Sequence, residues 1–313
     1  MITFVVRRLA FMMLILVCVS FLTFLIVNVL PGDVANTILG DFATPEQVEA
    51  LRQRLGLDQP VLYRYVEWAA GMVHGDFGLS LKSNQPIGPT LWGRLKNSLI
   101  LASMGLAVAV PIGIALGVVA AVYKDSLLDR AITTSVVIIF ALPEYVIGLA
   151  LILVFSIQWN LLPANSLVLP GQSVFSNPLT LVLPTAVVAL GMLAYLCQVT
   201  RASMIAALNS GYVRTAVLKG LYKRSVVVKH ALRNAMIPTL AEIGLGFGYS
   251  LGGLVVIETV FSYPGIGQFL VQSIQNRDIP GLQAAVLVVA AAYSIGNLVA
   301  DVGSLALNPK LRA

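Results

Sequence analysis

Six stretches of the chain run for 22 to 29 residues with almost no charge: 9–30, 97–123, 131–158, 179–200, 236–257 and 279–307. A hydrocarbon core of ~30 Å takes about 20 apolar helical residues, so each stretch predicts a membrane-spanning helix. Glu144 interrupts the third, Glu242 the fifth, and Asp301 falls near the end of the last. Arg7 and Arg8 precede the first run as they would in a signal peptide. That run is 22 residues long and ends in Leu-Pro-Gly without a small-x-small cleavage site, which predicts a retained first span.

The polar stretches carry their own pattern. Segment 31–96 is too long for a simple connection. Thr44, Pro45, Glu46 and Gln47 read as an N-cap, a first-turn proline and a capping-box partner, with Gly56 as a stop. A second helix is expected near Pro60, its Val61, Tyr65, Trp68, Ala69 and Met72 on one face for packing against the spans or the membrane surface. Asp76-Phe77-Gly78 matches the kinase magnesium motif by chance, because no glycine-rich phosphate loop or catalytic His-Arg-Asp accompanies it. Gly244, Gly248 and Gly252 recur every four residues and predict close helix packing, not a dinucleotide loop.

Composition agrees and removes alternatives. Apolar residues make up 58% and charged ones 11%, with a mean hydropathy of +0.88. A water-soluble globule carries roughly 25% charged residues and is excluded. Cys18 and Cys197 sit inside apolar runs and read as buried packing residues, without the spacing of a metal or redox site. The net charge of +6 lies between apolar runs, which argues for topology and against nucleic-acid binding. The N-terminus, turn 124–130, loop 201–235 and the C-terminus together hold 13 Lys/Arg and three acids; the opposite segments hold seven Lys/Arg and nine acids. The positive-inside rule therefore places both termini in the cytoplasm.

Loop 201–235 carries seven Lys/Arg and no acid. Asn209-Ser210-Gly211 breaks the preceding helix, and residues 212–220 read as a short helix with Val213, Ala216, Val217 and Gly220 on one face and Arg214 and Lys219 pointing elsewhere. Two readings fit the residues equally: an apolar face for a partner's groove, or basic residues that enforce topology and touch anionic lipid.

At this point the chain resembles, over essentially its whole length, the B-type inner-membrane permease subunits of peptide and nickel class ABC importers. The residues that carry the resemblance are Leu-Pro-Gly-Asp at 30–33, Thr-Pro-Glu-Gln at 44–47, Leu-Gly-Leu-Asp at 55–58 and Gly-Asp-Phe-Gly-x-Ser at 75–80. Further on come Thr-Arg-Ala-Ser-Met at 200–204, Glu-Thr-Val-Phe-Ser-Tyr-Pro-Gly-Ile-Gly at 258–267, Asn-Arg-Asp at 276–278 and Asn-Pro-Lys-Leu-Arg at 308–312. The family's Glu-Ala-Ala loop with its later glycine is matched in frame by Arg214, Thr215, Ala216 and Gly220, with arginine for glutamate and threonine for the first alanine. The resemblance implies an all-α polytopic fold of six transmembrane helices, the type I importer permease fold. Residues 1–313 then form one permease domain, with 31–96 a periplasmic helical segment and 201–235 a cytoplasmic coupling loop whose Val213, Arg214, Thr215, Ala216, Val217 and Gly220 dock on an ATPase. It also implies a bacterial inner-membrane location, a second homologous permease subunit, two ATP-binding cassette subunits and an extracytoplasmic substrate-binding protein. Peptides, nickel chelates, opines and some oligosaccharides are all cargo of this family.

The residues add that no G-x-x-x-x-G-K-[ST] occurs, so no cofactor is expected on this chain, with ATP and Mg on partner subunits. An ionisable group at a helix centre costs about 2.5–3.5 kcal/mol on insertion scales, so Glu144 and Glu242 require an explanation. They either line the translocation path and favour a cationic or amine-bearing substrate, or are protonated or paired in helix contacts. Pro143 is expected to kink the third span beside Glu144. An ion- or proton-coupled secondary transporter is the alternative to an ATP-driven permease, and uptake that survives loss of the ATPase would identify it. An intramembrane hydrolase is disfavoured, because no histidine lies in a span to serve a serine.

Overall fold

The computed structural model describes residues 2–29, 44–54, 59–168 and 171–307. In chain order the main helices are α1 (Ile2–Val29), α2 (Pro45–Arg54), α3 (Val61–Val73), α4 (Ile87–Val122), α5 (Leu127–Ala141), α6 (Glu144–Leu151), α7 (Val182–Leu208), α8 (Gly211–Leu218), α9 (Leu232–Val260), α10 (Ile266–Gln275) and α11 (Ile279–Leu307). Among the described residues there is no strand, only an isolated bridge between Leu79 and Pro86.

Among the described residues four helices are long and apolar enough to cross a membrane: those containing Val6–Ile26, Ile87–Val122, Pro178–Leu208 and Ile279–Gly303. The third predicted run, 131–158, is not one rod. It breaks into α5 and a second piece, Glu144–Gln158, bent by 104°, and makes a fifth span only if the two pieces cross together. Pro143 causes the break: proline lacks an N–H and drives the residue before it out of the helical region, and Leu142 is extended at φ −87°, ψ 133°. A new helix starts at Glu144, with the Val146 and Ile147 amides bonded to the Pro143 carbonyl at 2.9 and 3.3 Å. It ends in a π-helical stretch, Ile152–Gln158. The predicted run 236–257 lies inside the 29-residue α9.

Helix α4 packs on α7 through a stripe that the sequence reading passed over. Gly105, Ala109, Gly113 and Gly117 recur every four residues, and a Cβ on Gly113 or Gly117 would stand 3.0 Å from Leu196 Cβ or 2.7 Å from the Cys197 carbonyl. The two backbones therefore touch where a larger side chain would hold them apart. The stripe expected on α9 holds only in part: Gly248 closes on Asn297 of α11, whereas Gly252 faces open space. Leu101, Val187, Leu254, Phe261 and Tyr263 form the largest core, which ties α4 and α7 to α9 and the turn after it.

Where it is described, segment 31–96 forms the two expected helices, α2 and α3. Thr44 and Gln47 exchange the two bonds of a capping box at 3.0 and 3.3 Å. Helix α3 lies on α1 through Tyr65, whose hydroxyl is 2.8 Å from Ser20 Oγ and whose ring meets Phe21 and Phe24 edge-on, and through Trp68 against Phe24. The predicted stop at Gly56 and the motifs at 30–33, 55–58 and 308–312 lie outside the described residues. Cys197 is buried between α5 and α7 as expected, but Cys18 lies on an exposed face of α1.

Candidate functional site

Helix α8 occupies the loop where a short helix was expected, and its ending explains the glycine in the matched frame. Lys219 closes the helix, Gly220 turns left-handed at φ +76°, its N–H meets the Val217 carbonyl at 2.9 Å, and the Leu221 N–H reaches the Ala216 carbonyl at 3.4 Å. These paired bonds are a Schellman cap, for which glycine is the residue without steric cost.

Of the face expected to point at a partner, Val213 and Ala216 turn inward while Val217 and Gly220 stay exposed. Val213 and Ala216 are buried with Met204, Val226, Ala231 and Ala235 at the basic end of the bundle. Burial of apolar side chains there docks α8 on its own chain, because the loop returns through the π-helical stretch Val226–Ala231 and lays a second apolar strip beside α7. Arg214 and Thr215 are exposed, as are Val217, Leu218, Leu221 and Tyr222; Leu218 is 80% and Tyr222 87% exposed. The outward apolar surface at the end of α8 is thus Val217, Leu218, Leu221 and Tyr222, with Tyr212 and Val228 exposed elsewhere in the loop. An exposed leucine and tyrosine beside a glycine cap were the signal to find it.

Four of the sequence motifs take part in three clasps. Arg201 binds Asp129 through two bonds, Nε to Oδ1 at 2.7 Å and Nη2 to Oδ2 at 2.6 Å, which fastens the base of α7 to the first turn of α5. Asp129 also accepts the Asp125 N–H at 3.0 Å and gives its own N–H to the N-cap Ser126. On the other side of the bundle Asp278 accepts from Ser80 Oγ at 2.6 Å and the Leu81 N–H at 3.0 Å, joining the motif at 75–80 to that at 276–278. Glu258 is fully buried and accepts from Ser98 Oγ, the Gly267 N–H and the Gln268 N–H at 2.5, 2.7 and 3.1 Å, which caps α10. Any side chain on Gly265 would collide with that carboxyl. Tyr263 donates to the Asn97 carbonyl at 2.7 Å, and burial pushes its hydroxyl pKa up, so it stays a neutral donor.

Glu144 and Glu242, distant in sequence, line one cleft of about 510 Å³ between the broken third run, α7 and α9. Phe140, Leu142, Val188, Met192 and Tyr195 supply much of the rest of its wall. The Glu144 carboxylate fits a notch over two glycines: a Cβ at Gly253 would stand 2.9 Å from Oε2, and one at Gly191 3.5 Å from Oε1. Neither glutamate has a hydrogen bond or ion pair among the described residues. The pairing alternative for these two residues therefore has no partner here. Gly191 and Gly253 were missed in the sequence, where isolated glycines in apolar runs carry no mark of what they face.

Comparison with known proteins gives a consistent result over the whole length. Residues 113–313 match the family "Binding-protein-dependent transport system inner membrane component", and residues 1–102 match its N-terminal counterpart. The glutathione transport system permease protein GsiC of Escherichia coli (strain K12) is 38% identical over 312 residues, covering 100% of this chain and 99% of that protein. A probable peptide ABC transporter permease protein, y4tP, of Sinorhizobium fredii is 35% identical over 309 residues, covering 99% of each chain. A solved amino acid ABC transporter crystallised with histidines is similar over 72% of this chain and 94% of that one, at 19% identity and a TM-score of 0.49.

Proposed function

The chain belongs to the binding-protein-dependent transport system inner membrane components, the permeases of ABC transporters, and on that premise we propose that it forms half of the translocation pathway of an ATP-driven importer for peptides or a related small solute such as glutathione. It crosses the membrane six times with both termini in the cytoplasm, segment 31–96 outside and loop 201–235 inside. A second homologous permease completes the pathway, two ATP-binding cassette subunits drive it, and an extracytoplasmic binding protein delivers the solute. The chain itself is non-catalytic; lacking a G-x-x-x-x-G-K-[ST] loop, it leaves ATP and Mg to the cassette subunits.

The observation that carries this reading is α8. A helix seated on its own bundle through Val213 and Ala216 moves with the spans, while Leu218 and Tyr222 remain free to enter a partner's groove. Closure of the cassette pair on ATP pulls α8, and through it α7 and α9, toward an outward-open packing; hydrolysis releases them. Differential affinity of ATP for the two packings is the source of the work.

The test is uptake of a labelled dipeptide, and separately of glutathione, into proteoliposomes holding the assembled complex and its binding protein. Uptake of either that requires ATP and stops with a hydrolysis-dead cassette supports the importer. Uptake unaffected by that cassette and driven by an ion gradient would instead establish the secondary-transporter reading, which the unpaired carboxyls of Glu144 and Glu242 favour.

A further inference from the structure

The cleft holding Glu144 and Glu242 deepens the proposed function and rests on that reading for its place in the transport path. At about 510 Å³ it falls in the ~300–1,000 Å³ range of small-molecule sites. Among the described residues its wall is apolar apart from the two carboxyls and Tyr195, and no lysine, arginine or histidine lines it.

The other acids that join helices are satisfied from within the chain. Glu258 has Ser98 and two backbone amides, Asp129 has Arg201, Asp278 has Ser80 and Leu81, and Asp301 has Arg8 at 3.0 Å. Glu144 and Glu242 have no such partner among the described residues, although the backbone is shaped around the first of them: the Leu142–Pro143 break sets it in the first turn of α6, and Gly191 and Gly253 make room for its carboxylate. A group held in place, unpaired and turned to a cleft of ligand size lacks a donor that arrives from outside. A primary ammonium offers three N–H donors and no acceptor, which complements two carboxylates in a wall that is otherwise apolar; a carboxylate-bearing end would be repelled.

We infer that this cleft receives the ammonium group of the transported solute, Glu144 and Glu242 accepting its N–H donors, so that the permease selects amine-bearing cationic or zwitterionic solutes over anions without an amine. Binding here is selection during passage, additional to whatever the extracytoplasmic protein selects.

The purified transporter complex is treated with dicyclohexylcarbodiimide, an apolar reagent that modifies carboxyl groups, and modification at Glu144 and Glu242 is followed by peptide mass spectrometry. n-Propylammonium at twice its Kd should slow modification of both residues in parallel by about threefold, the factor 1 + [L]/Kd, while propionate and n-propanol leave the rate unchanged. In the Glu144→Gln protein the protection at Glu242 should weaken. Absence of protection, equal protection by n-propanol, or no modification of either carboxyl in the unliganded complex overturns the inference. ATP-dependent uptake by the same preparation reads the proposed function separately. Protection that persists without ATP-dependent uptake removes the importer reading and keeps the cation site; ATP-driven uptake without protection removes the site alone.

Discussion

The Ser98 hydroxyl gives its hydrogen to Glu258 at 2.5 Å while accepting the Ile266 N–H at 2.8 Å, so one small side chain on α4 holds both the end of α9 and the start of α10. Replacing Ser98→Ala leaves a buried amide and a buried carboxylate oxygen each short of a partner, at about 1–3 kcal/mol apiece. The purified complex should melt at a lower temperature, and Gly265→Ala, which drives a methyl into the Glu258 carboxyl, should lower it too. An unchanged Tm in both would show that the clasp carries no stability.

Breaking the Arg201–Asp129 pair has a direction and a bound. Removing one partner of a fully buried pair costs about 3–5 kcal/mol. Asp129 is buried but the Arg201 side chain is 27% exposed, so Arg201→Ala should cost less than that range. Arg201→Lys should recover only part of the loss, since an ammonium cannot reproduce the two-pronged geometry. A double-mutant cycle with Asp129→Asn, read as thermal stability of the complex, measures the coupling; additive effects would dissolve the pair as an energetic unit.

For loop 201–235 the structure changes which substitution is informative. Ala216→Arg forces a charge into the cluster around Met204 and is expected to abolish folded protein, not to uncouple it. Leu218→Asp and Tyr222→Asp alter exposed side chains, so the permease should accumulate and melt normally yet retain cassette subunits at least tenfold more weakly, about 1.4 kcal/mol. Copurification of cassette subunits at the parental ratio would move the docking surface elsewhere.

Gly220→Ala places a Cβ in a left-handed cap and should cost about 1–2 kcal/mol, with Gly220→Asn less damaging because asparagine tolerates that conformation. Equal stability of the two variants, measured by thermal melting, would contradict the cap.

What the sequence revealed and what it concealed divide along physical lines. Apolar runs, the Thr44 cap, the break at 209–211 and the glycine stop of α8 were legible because each rests on neighbours in the chain. The pairing of Ser80 with Asp278, of Ser98 with Glu258 and of Arg201 with Asp129 was not, since partners 72 to 198 residues apart leave no local trace. Val213 and Ala216 were placed on one helical face correctly, yet periodicity cannot say whether that face meets a partner or the chain's own core. The same limit hid the α4 stripe: Gly105, Gly113 and Gly117 have the spacing that was noticed at 244–252, and only the position of α7 shows which set closes on a neighbouring backbone.

The break at Leu142–Pro143 has one more consequence. Helix ends leave amides and carbonyls without intrahelical partners, and proline withholds a donor on top of that. Hydrocarbon cannot satisfy such groups, so this flank of the bundle must stay hydrated or be covered. If the chain crosses the membrane as proposed, a newly inserted copy carries this hydrated seam until another protein covers it. Assembly becomes a matter of timing: a permease made in excess of its partner would be an awkward guest in the bilayer, and its lifetime there should track the supply of that partner.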